Sequence, residues 1–239
     1  MERLQKVIAN LGYCSRRHAE ELIVKGEVTV NGEVVTELGT KVKSGDVISV
    51  SGNILDNSKN YEYYLLNKPR EVVSTVSDDH GRTTVVDLIK TDSRIYPVGR
   101  LDYDTTGLIL LTNDGVLANK LMHPSTKINK TYIAKVDGII TGYDVKKLRS
   151  GVVIDGYKTK RCNVKLKSVD KKNMRSIVEI SLHEGRNQQV RKMIESVGKK
   201  VIKLRREKYA IFDIKELKTG EYRHLSNKEI AVLYSLCKK

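Results

Sequence analysis

Cysteine is scarce in this chain and badly placed for chemistry. Its three cysteines, Cys14, Cys162 and Cys237, are odd in number and far apart, with no CxxC pair. They offer no zinc framework, and they fit a reducing cytoplasm. The five histidines are scattered, and none is a candidate catalyst. No apolar run approaches the length of a membrane-spanning helix. The opening MERLQKVIAN has no apolar secretory core, so no signal peptide is expected. There is no internal repeat, no low-complexity tract, no glycine-rich phosphate loop and no βαβα metre. Helices and strands are instead interspersed, which predicts an α+β fold with a mixed, largely antiparallel sheet.

Negative charge is also in short supply. The 239 residues are 39% hydrophobic and 31% charged, and the formal net charge is +15. A chain of this length can bury a substantial core in one or two domains. A surplus of this size points to a polyanionic partner, with nucleic acid first and a membrane surface as the rival. The surplus is unevenly spread. Residues 1–57 carry 7 Lys and Arg against 8 Asp and Glu, and residues 58–128 carry 9 against 9. Residues 129–208 carry 22 against 8, and residues 209–239 carry 6 against 4. Nearly all the excess therefore lies in one segment, as an anion-binding face requires and a merely solubilising charge does not.

Residues 1 to about 50 read as a small module. Leu4, Val7, Ile8 and Leu11 recur at helical spacing and stop at Gly12. Ser15 is placed to cap a second helix running to Gly26. VTVNGEVV reads as a hairpin turning at Asn31-Gly32, and DVISV as a short strand. The polar stretch 51–60 reads as a linker, which sets domains at 1–57 and 58–239. In the larger domain YEYYLLN, GLILLTN and KTYIAKV read as strands, and TVVDLI (84–89) as a short helix. GVLANKLMH and GYDVKKLRSG read as helices. KTKRCNVKLKSV and RSIVEISLH read as paired strands. NQQVRKMIESVG reads as a helix with an apolar stripe of Val190, Met193, Ile194 and Val197. VIKLRRE follows as a strand, and NKEIAVLYSL as a closing helix.

The stretch GRLDYDTTGLILLTNDG (99–115) sets three aspartates around an apolar run. Asp102, Asp104, Thr106 and Gly107 mimic the start of a calcium loop, but the closing twelfth position is Asn113 and Leu108 to Leu111 replace polar ligands. D-x-D-x-T also matches the nucleophile loop of haloacid-dehalogenase-type phosphatases. No downstream acidic pair follows to hold magnesium, and Pro97, Gly99 and Arg100 interrupt the strand that should precede it. A third reading is a lone carboxylate acting covalently on a nucleotide without metal. It requires a cationic partner and an aromatic surface for an extruded base. HEGRNQQVRKM (183–193) and the tyrosine of KTYIAKV supply candidates. Asp114 directly precedes a helix and reads as its cap. Asp104 stands open between a solvated loop residue and a helper, and Asp102 is the carboxylate that capping explains least. The turn presenting it is expected at Thr105, Thr106 and Gly107. On residue type alone, Tyr132 is a half-buried strand aromatic. Arg191, at the edge of a buried stripe, either snorkels to water or enters a cleft. Gln188 and Lys192 share its face. Ser15, Arg16 and Arg17 read either as a cap with solvated arginines or as a phosphate grip at a helix N-terminus.

Taken together these residues resemble the RsuA/RluB branch of pseudouridine synthases over nearly the whole chain. RLQKVIANLGYCSRRHAEELIVKGEVTVNGEVV is similar to the S-four-type (alpha-L) RNA-binding module. LLNKPREVVST, GRLDYDTTGLILLTNDG, NKTYIAKV, EGRNQQVRKM and VIKLRRE are similar, in order, to the branch's five synthase motifs. The resemblance implies isomerisation of uridine to pseudouridine in ribosomal RNA, of the large subunit above all. The base would detach, rotate and rejoin the ribose through carbon. It implies no cofactor and no metal, and a monomer working on ribosomal RNA or a pre-ribosomal particle. Asp102 would be the nucleophile or base, Tyr132 would stack on the flipped uracil, and Arg191 would pair with Asp102 and lower its pKa. Leu204 would line the uracil pocket. Arg100, Asn67, Lys68, Arg186 and Gln188 would contact substrate, and Arg3, Ser15, Arg16 and Arg17 would contact RNA. One position departs from the pattern. The first motif usually reads Asn-Lys-Pro-x-Gly, and Glu71 stands where the glycine is expected. If that position needs a positive φ, Glu71 costs ~1 kcal/mol there. The alternatives from other classes are a non-catalytic RNA-binding or ribosome-assembly factor and a magnesium-dependent phosphatase.

Overall fold

The computed structural model describes residues 1–55 and 60–238, so the expected boundary at 57/58 lies outside the described residues. The chain divides into two compact units. One holds residues 1–62 with 91–95 and 113–115, and the other holds the rest.

The first unit contains β1 (Glu2–Arg3), α1 (Leu4–Asn10), α2 (Arg16–Val24), β2 (Val28–Val30), β3 (Glu33–Val34), β4 (Lys41–Val42), β5 (Ile48–Val50) and β6 (Asn53–Ile54). Its core is the apolar stripe of the two helices, with Leu4, Ile8, Ala19 and Ile23 packed on Val28 and Val50. Four strands form an antiparallel sheet in the order β3-β2-β5-β6. Asn31 and Gly32 both adopt left-handed φ values, 53° and 87°, as a two-residue hairpin between right-twisted strands requires. Ser15 caps α2 as expected, accepting a hydrogen bond from the His18 N–H at 3.1 Å. The expected linker is partly structured, because Asn53 and Ile54 pair with Val50 and Ser49. Asn53 and Ile54 are thus an exposed edge strand, and residues 56–59 lie outside the described residues. Glu62 closes the unit: it accepts from Thr91 Oγ1 at 2.6 Å and Ser93 Oγ at 2.5 Å.

The second unit contains β7 (Tyr63–Lys68), β8 (Tyr96–Val98), β9 (Thr106–Thr112), α3 (Gly115–Met122, whose first residue belongs to the other unit), β10 (Lys130–Asp137), α4 (Gly142–Ser150), β11 (Val153–Ile154) and β12 (Tyr157–Lys158). It continues with β13 (Asn163–Asp170), β14 (Arg175–Leu182), α5 (Gln189–Glu195), β15 (Lys200–Tyr209), β16 (Phe212–Asp213), β17 (Tyr222–His224) and α6 (Asn227–Leu236). A nine-stranded mixed sheet runs β13-β14-β10-β15-β9-β7-β17, with β16 beside β15 and β8 beside β9. Its one parallel pairing among the described residues is β15 with β9, where Arg205 and Arg206 lie opposite Thr106 and Gly107. On one half of the sheet α4 and α5 bury Val145, Leu148, Val190, Met193 and Ile194 against Ala134, Val178, Ile180 and Leu204. On the other half Leu117, Ala118, Leu121 and Leu233 pack on Leu65, Leu108, Leu110 and Tyr209. The architecture is the expected α+β fold.

Two expected helices change. Residues 84–89 form turns, not a helix. Thr84 gives both its N–H and its hydroxyl to Asp87 Oδ2, and the Val85 N–H bonds the Val73 carbonyl across a gap in sequence. A six-residue stretch with two adjacent valines cannot outweigh those bonds. The helix expected over 187–198 is confined to Gln189–Glu195, because Gln188 takes a left-handed φ of 51° and holds the chain out of helix.

Candidate active site

The aspartate loop is a turn fixed on both flanks. The Thr105 N–H bonds the Asp102 carbonyl at 3.0 Å, so the turn spans 102–105, while Thr106 and Gly107 already belong to β9. The expectation of a turn at 105–107 is corrected by this register. The segment after β7 clamps the loop. Ser74 Oγ donates to the Leu101 carbonyl at 2.8 Å and accepts from the Leu101 N–H at 3.1 Å. The Glu71 N–H donates to the Tyr103 carbonyl at 2.9 Å. Glu71 holds a left-handed φ of 62°, so the position has the conformation for which glycine is expected. Lys68 is wholly buried, and its ammonium donates to the carbonyls of Pro69 at 2.9 Å, Val72 at 2.8 Å and Tyr103 at 3.5 Å. Burial pulls its pKa down to about 8, against the opposing pull of the Asp104 and Asp102 carboxylates.

A cleft of about 710 Å³ opens beside this loop. Among its lining residues are Asp102, Arg100, Tyr132, Leu204, Arg186 and Gln188, which the sequence singled out, and also Lys130, Arg206 and Tyr209, which it did not. Tyr132 on β10 stands opposite Ile180 on β14 and Arg206 on β15. Leu204 lies opposite Ala134. Arg186 spreads its guanidinium over the Tyr157 ring at 3.4 Å, and its backbone N–H is held by Gln189 Oε1 at 3.1 Å. Gln189 in turn donates to Glu184 at 2.8 Å, so the EGRNQQ segment is braced from within. Burial pushes the Tyr209 hydroxyl up to about 12. Arg206 is 2% exposed; its Nε donates to the Leu108 carbonyl at 2.6 Å, and its Nη2 has no partner among the described residues.

Arg191 reaches the aspartate loop, but its closest acceptor is not Asp102. Its Nη2 donates to Asp104 Oδ2 at 2.7 Å and to Thr105 Oγ1 at 3.4 Å, while its Nε lies 4.0 Å from Asp102 Oδ2. Asp104, left open in the sequence, is therefore the carboxylate that holds the arginine. Asp102 keeps its oxygens for the cleft. Two expected substrate contacts lie outside the cleft lining. Asn67 is buried and donates to the Leu217 carbonyl at 2.9 Å, and Lys68 is consumed by the loop clamp. Asp114, also buried, directly precedes α3. In the first unit Arg3, Arg16 and Arg17 are exposed and Ser15 is spent on its cap. Among the described residues no group of three or more His, Cys, Asp or Glu could hold a metal ion, and no helix is long and apolar enough to cross a membrane.

The cleft sets the Asp102 carboxylate, with Glu184 also in its lining, beside tyrosines, leucines and cations, an arrangement suited to holding and modifying a base, and comparison gives the family. The family model for RNA pseudouridylate synthases matches residues 62–196 and that for the S4 domain matches residues 2–48, so the chain belongs to the RNA pseudouridylate synthases and is an isomerase. It is 53% identical over 237 residues to ribosomal large subunit pseudouridine synthase B of Bacillus subtilis (strain 168), spanning 99% of this chain and 97% of that one. It is 38% identical over 236 residues to the dual-specificity RNA pseudouridine synthase RluF of Escherichia coli (strain K12), covering 98% of this chain and 79% of the relative. A solved pseudouridylate synthase superposes with a TM-score of 0.69 at 30% identity, over 98% of this chain and 100% of its own.

Proposed function

We propose that the chain isomerises one uridine, or a small set of uridines, to pseudouridine in ribosomal RNA of the large subunit. The observation that carries the site reading is the mount of Asp102. Its carboxylate borders a cleft with Tyr132 and Leu204, and Arg191 lies 4.0 Å away, held by Asp104. In this reading Asp102 opens the glycosidic bond, Tyr132 stacks on the flipped base, Leu204 walls the uracil pocket and Arg191 sets a positive charge beside Asp102. Arg100, Arg186 and Gln188 meet the nucleotides around it. The segment before residue 58 is the RNA-binding domain, where Arg3, Arg16 and Arg17 meet phosphates and Ser15 orders the helix carrying the last two. The enzyme acts as a monomer in the cytoplasm. Support for the ribosomal substrate comes from the 53% identity to the Bacillus subtilis large-subunit enzyme. The test pairs two measurements. Asp102→Asn is expected to abolish pseudouridine formation while RNA affinity persists, and retained activity would overturn the assignment. A pseudouridine map of ribosomal RNA from a deletion strain is expected to lose a large-subunit position. An unchanged map would sink the ribosomal reading.

A further inference from the structure

Two of the cations that line the cleft, Arg206 and Lys130, sit in its sheet and have no carboxylate partner among the described residues. Arg206 lines it at 2% exposure, with one hydrogen bond from Nε to a carbonyl and a buried Nη2 that finds no acceptor. Lys130 lines it too, and its ammonium has two long carbonyl contacts, Ile128 at 3.4 Å and Glu184 at 3.5 Å. Burial, with the positive charge of Arg206 beside it, lowers the Lys130 pKa to about 8. A guanidinium N–H left unpaired in a buried site is costly, and folded proteins seldom keep one without a use. Arg206 is also fixed in place. It stands directly opposite Tyr132 on β10 and opposite Gly107 on β9.

The reaction creates a matching charge. When the bond between ribose C1′ and uracil N1 breaks, the electron pair stays with the base and spreads to its carbonyl oxygens. The detached uracil is an anion until it rejoins the ribose through C5. The C5 proton then leaves and N1 takes one up, so the product is an isomer and no co-reactant is consumed. We propose that Arg206, assisted by Lys130, is the counter-cation of the detached uracil, donating to a carbonyl oxygen of the base while it turns. This rests on the reading of the cleft as the site of uridine isomerisation. Fixed donors aimed at a developing negative charge, in a site that excludes water, lower the barrier without reorganising.

The test uses the full chain and its RNA substrate. Tritium release from uridine labelled at C5 reads turnover, and RNA binding is measured on the same preparations. Wild-type turnover establishes the isomerase reading independently of either variant. Arg206→Gln is expected to lower kcat by ~100-fold, the cost of removing one such donor, with Kd for RNA within about threefold of wild type. Lys130→Gln is expected to lower kcat by about tenfold, and it keeps the test alive if Arg206→Gln fails to fold. A second substrate separates chemistry from architecture. With 5-fluorouridine at the target position, the fluorine stabilises the detached anion, so single-turnover cleavage should show a smaller defect in both variants. An equal defect on both substrates overturns the proposal. So does an unchanged kcat with a raised Kd and a flatter salt dependence, which would make these cations a phosphate grip.

Discussion

At the residue scale, the arrangement of Arg191 between two carboxylates decides what each aspartate does. A guanidinium with a 2.7 Å hydrogen bond to Asp104 is committed there, and at 4.0 Å Asp102 feels its charge without giving up an oxygen. On the proposed reading of the site, Asp104 would be a positioning residue. Asp104→Asn weakens a charge-assisted bond worth about 1.5–3 kcal/mol, so kcat should fall by roughly tenfold or somewhat more. KM should change little, and Asp104→Glu should recover part of the loss. A KM effect with kcat intact would remove Asp104 from this role. Lys68 gives a second residue-scale prediction, through pH. Its folded pKa of about 8 lies below the unfolded value near 10.4, so the folded state rejects a proton that the unfolded state keeps. Below about pH 8 the buried charge is carried in full and costs stability. As pH rises from about 8 towards 10 the penalty disappears, at up to about 1.4 kcal/mol per pH unit. Wild type should therefore gain stability relative to Lys68→Met between about pH 7.5 and pH 9.5. Urea denaturation of both proteins at the two values measures it, and a constant difference would refute a charged, buried Lys68.

At the element scale, the site depends on the parallel seam of the main sheet. Gly107 on β9 meets Arg206 on β15 so closely that a Cβ at 107 would lie 2.2 Å from the Arg206 carbonyl oxygen, and its φ is 112°. Only glycine fits there. Gly107→Ala should cost at least the upper end of the about 1–3 kcal/mol set by backbone strain alone, with the clash added. It should also lower activity more than it lowers RNA binding, since the seam carries both the exit from the Asp102 turn and Arg206. Thermal denaturation and turnover check this, and an alanine variant of wild-type stability would show that the strands do not approach so closely. The same seam shows what was legible beforehand. Period-two patterns announced β10, β13 and β14, and Asn31-Gly32 announced its hairpin, because those signals are local. The order of motifs placed Asp102, Tyr132 and Leu204 in one cleft. Three features escaped because each depends on how the chain folds back on itself rather than on a local pattern. Nothing in the sequence singles out Arg206 and Lys130, which the sheet brings to the cleft. Lys68 reads as a substrate contact until three carbonyls converge on its ammonium. Residues 84–89 carry a helix-like pattern, and the bond from Val85 to Val73 overrides it.

At the scale of the whole molecule, the charge excess and the candidate cleft occupy the same unit. Residues 129–208, with 22 basic against 8 acidic side chains, lie wholly in the larger unit, whereas residues 1–57 are nearly neutral. Part of the excess is internally paired: Lys192 with Asp155, Arg205 with Glu207, Lys208 with Asp213. Part of it is not matched in that way. Lys135 on β10 stands in register opposite Lys203 on β15, and like charges placed directly across a sheet repel. An RNA phosphate relieves that repulsion, and its counterions leave on binding. Neither lysine lines the cleft. A Lys135→Gln, Lys203→Gln pair should therefore leave kcat near the wild-type value while weakening RNA binding. If each lysine meets one phosphate, the slope of log K against log salt should flatten by about 0.7–0.9 per residue. Neutralising Arg16 and Arg17 together is the control. Those arginines sit on a module with almost no net charge, where shape and a few local contacts position the RNA. Their loss should shift affinity through those contacts and flatten the slope by no more than the two phosphates they can hold. The measurement is RNA affinity of wild type and both variants over a range of potassium chloride concentrations. An unchanged slope in the Lys135, Lys203 variant, beside a marked flattening in the Arg16, Arg17 variant, would move the electrostatic attraction from the strands of the larger unit to the small module.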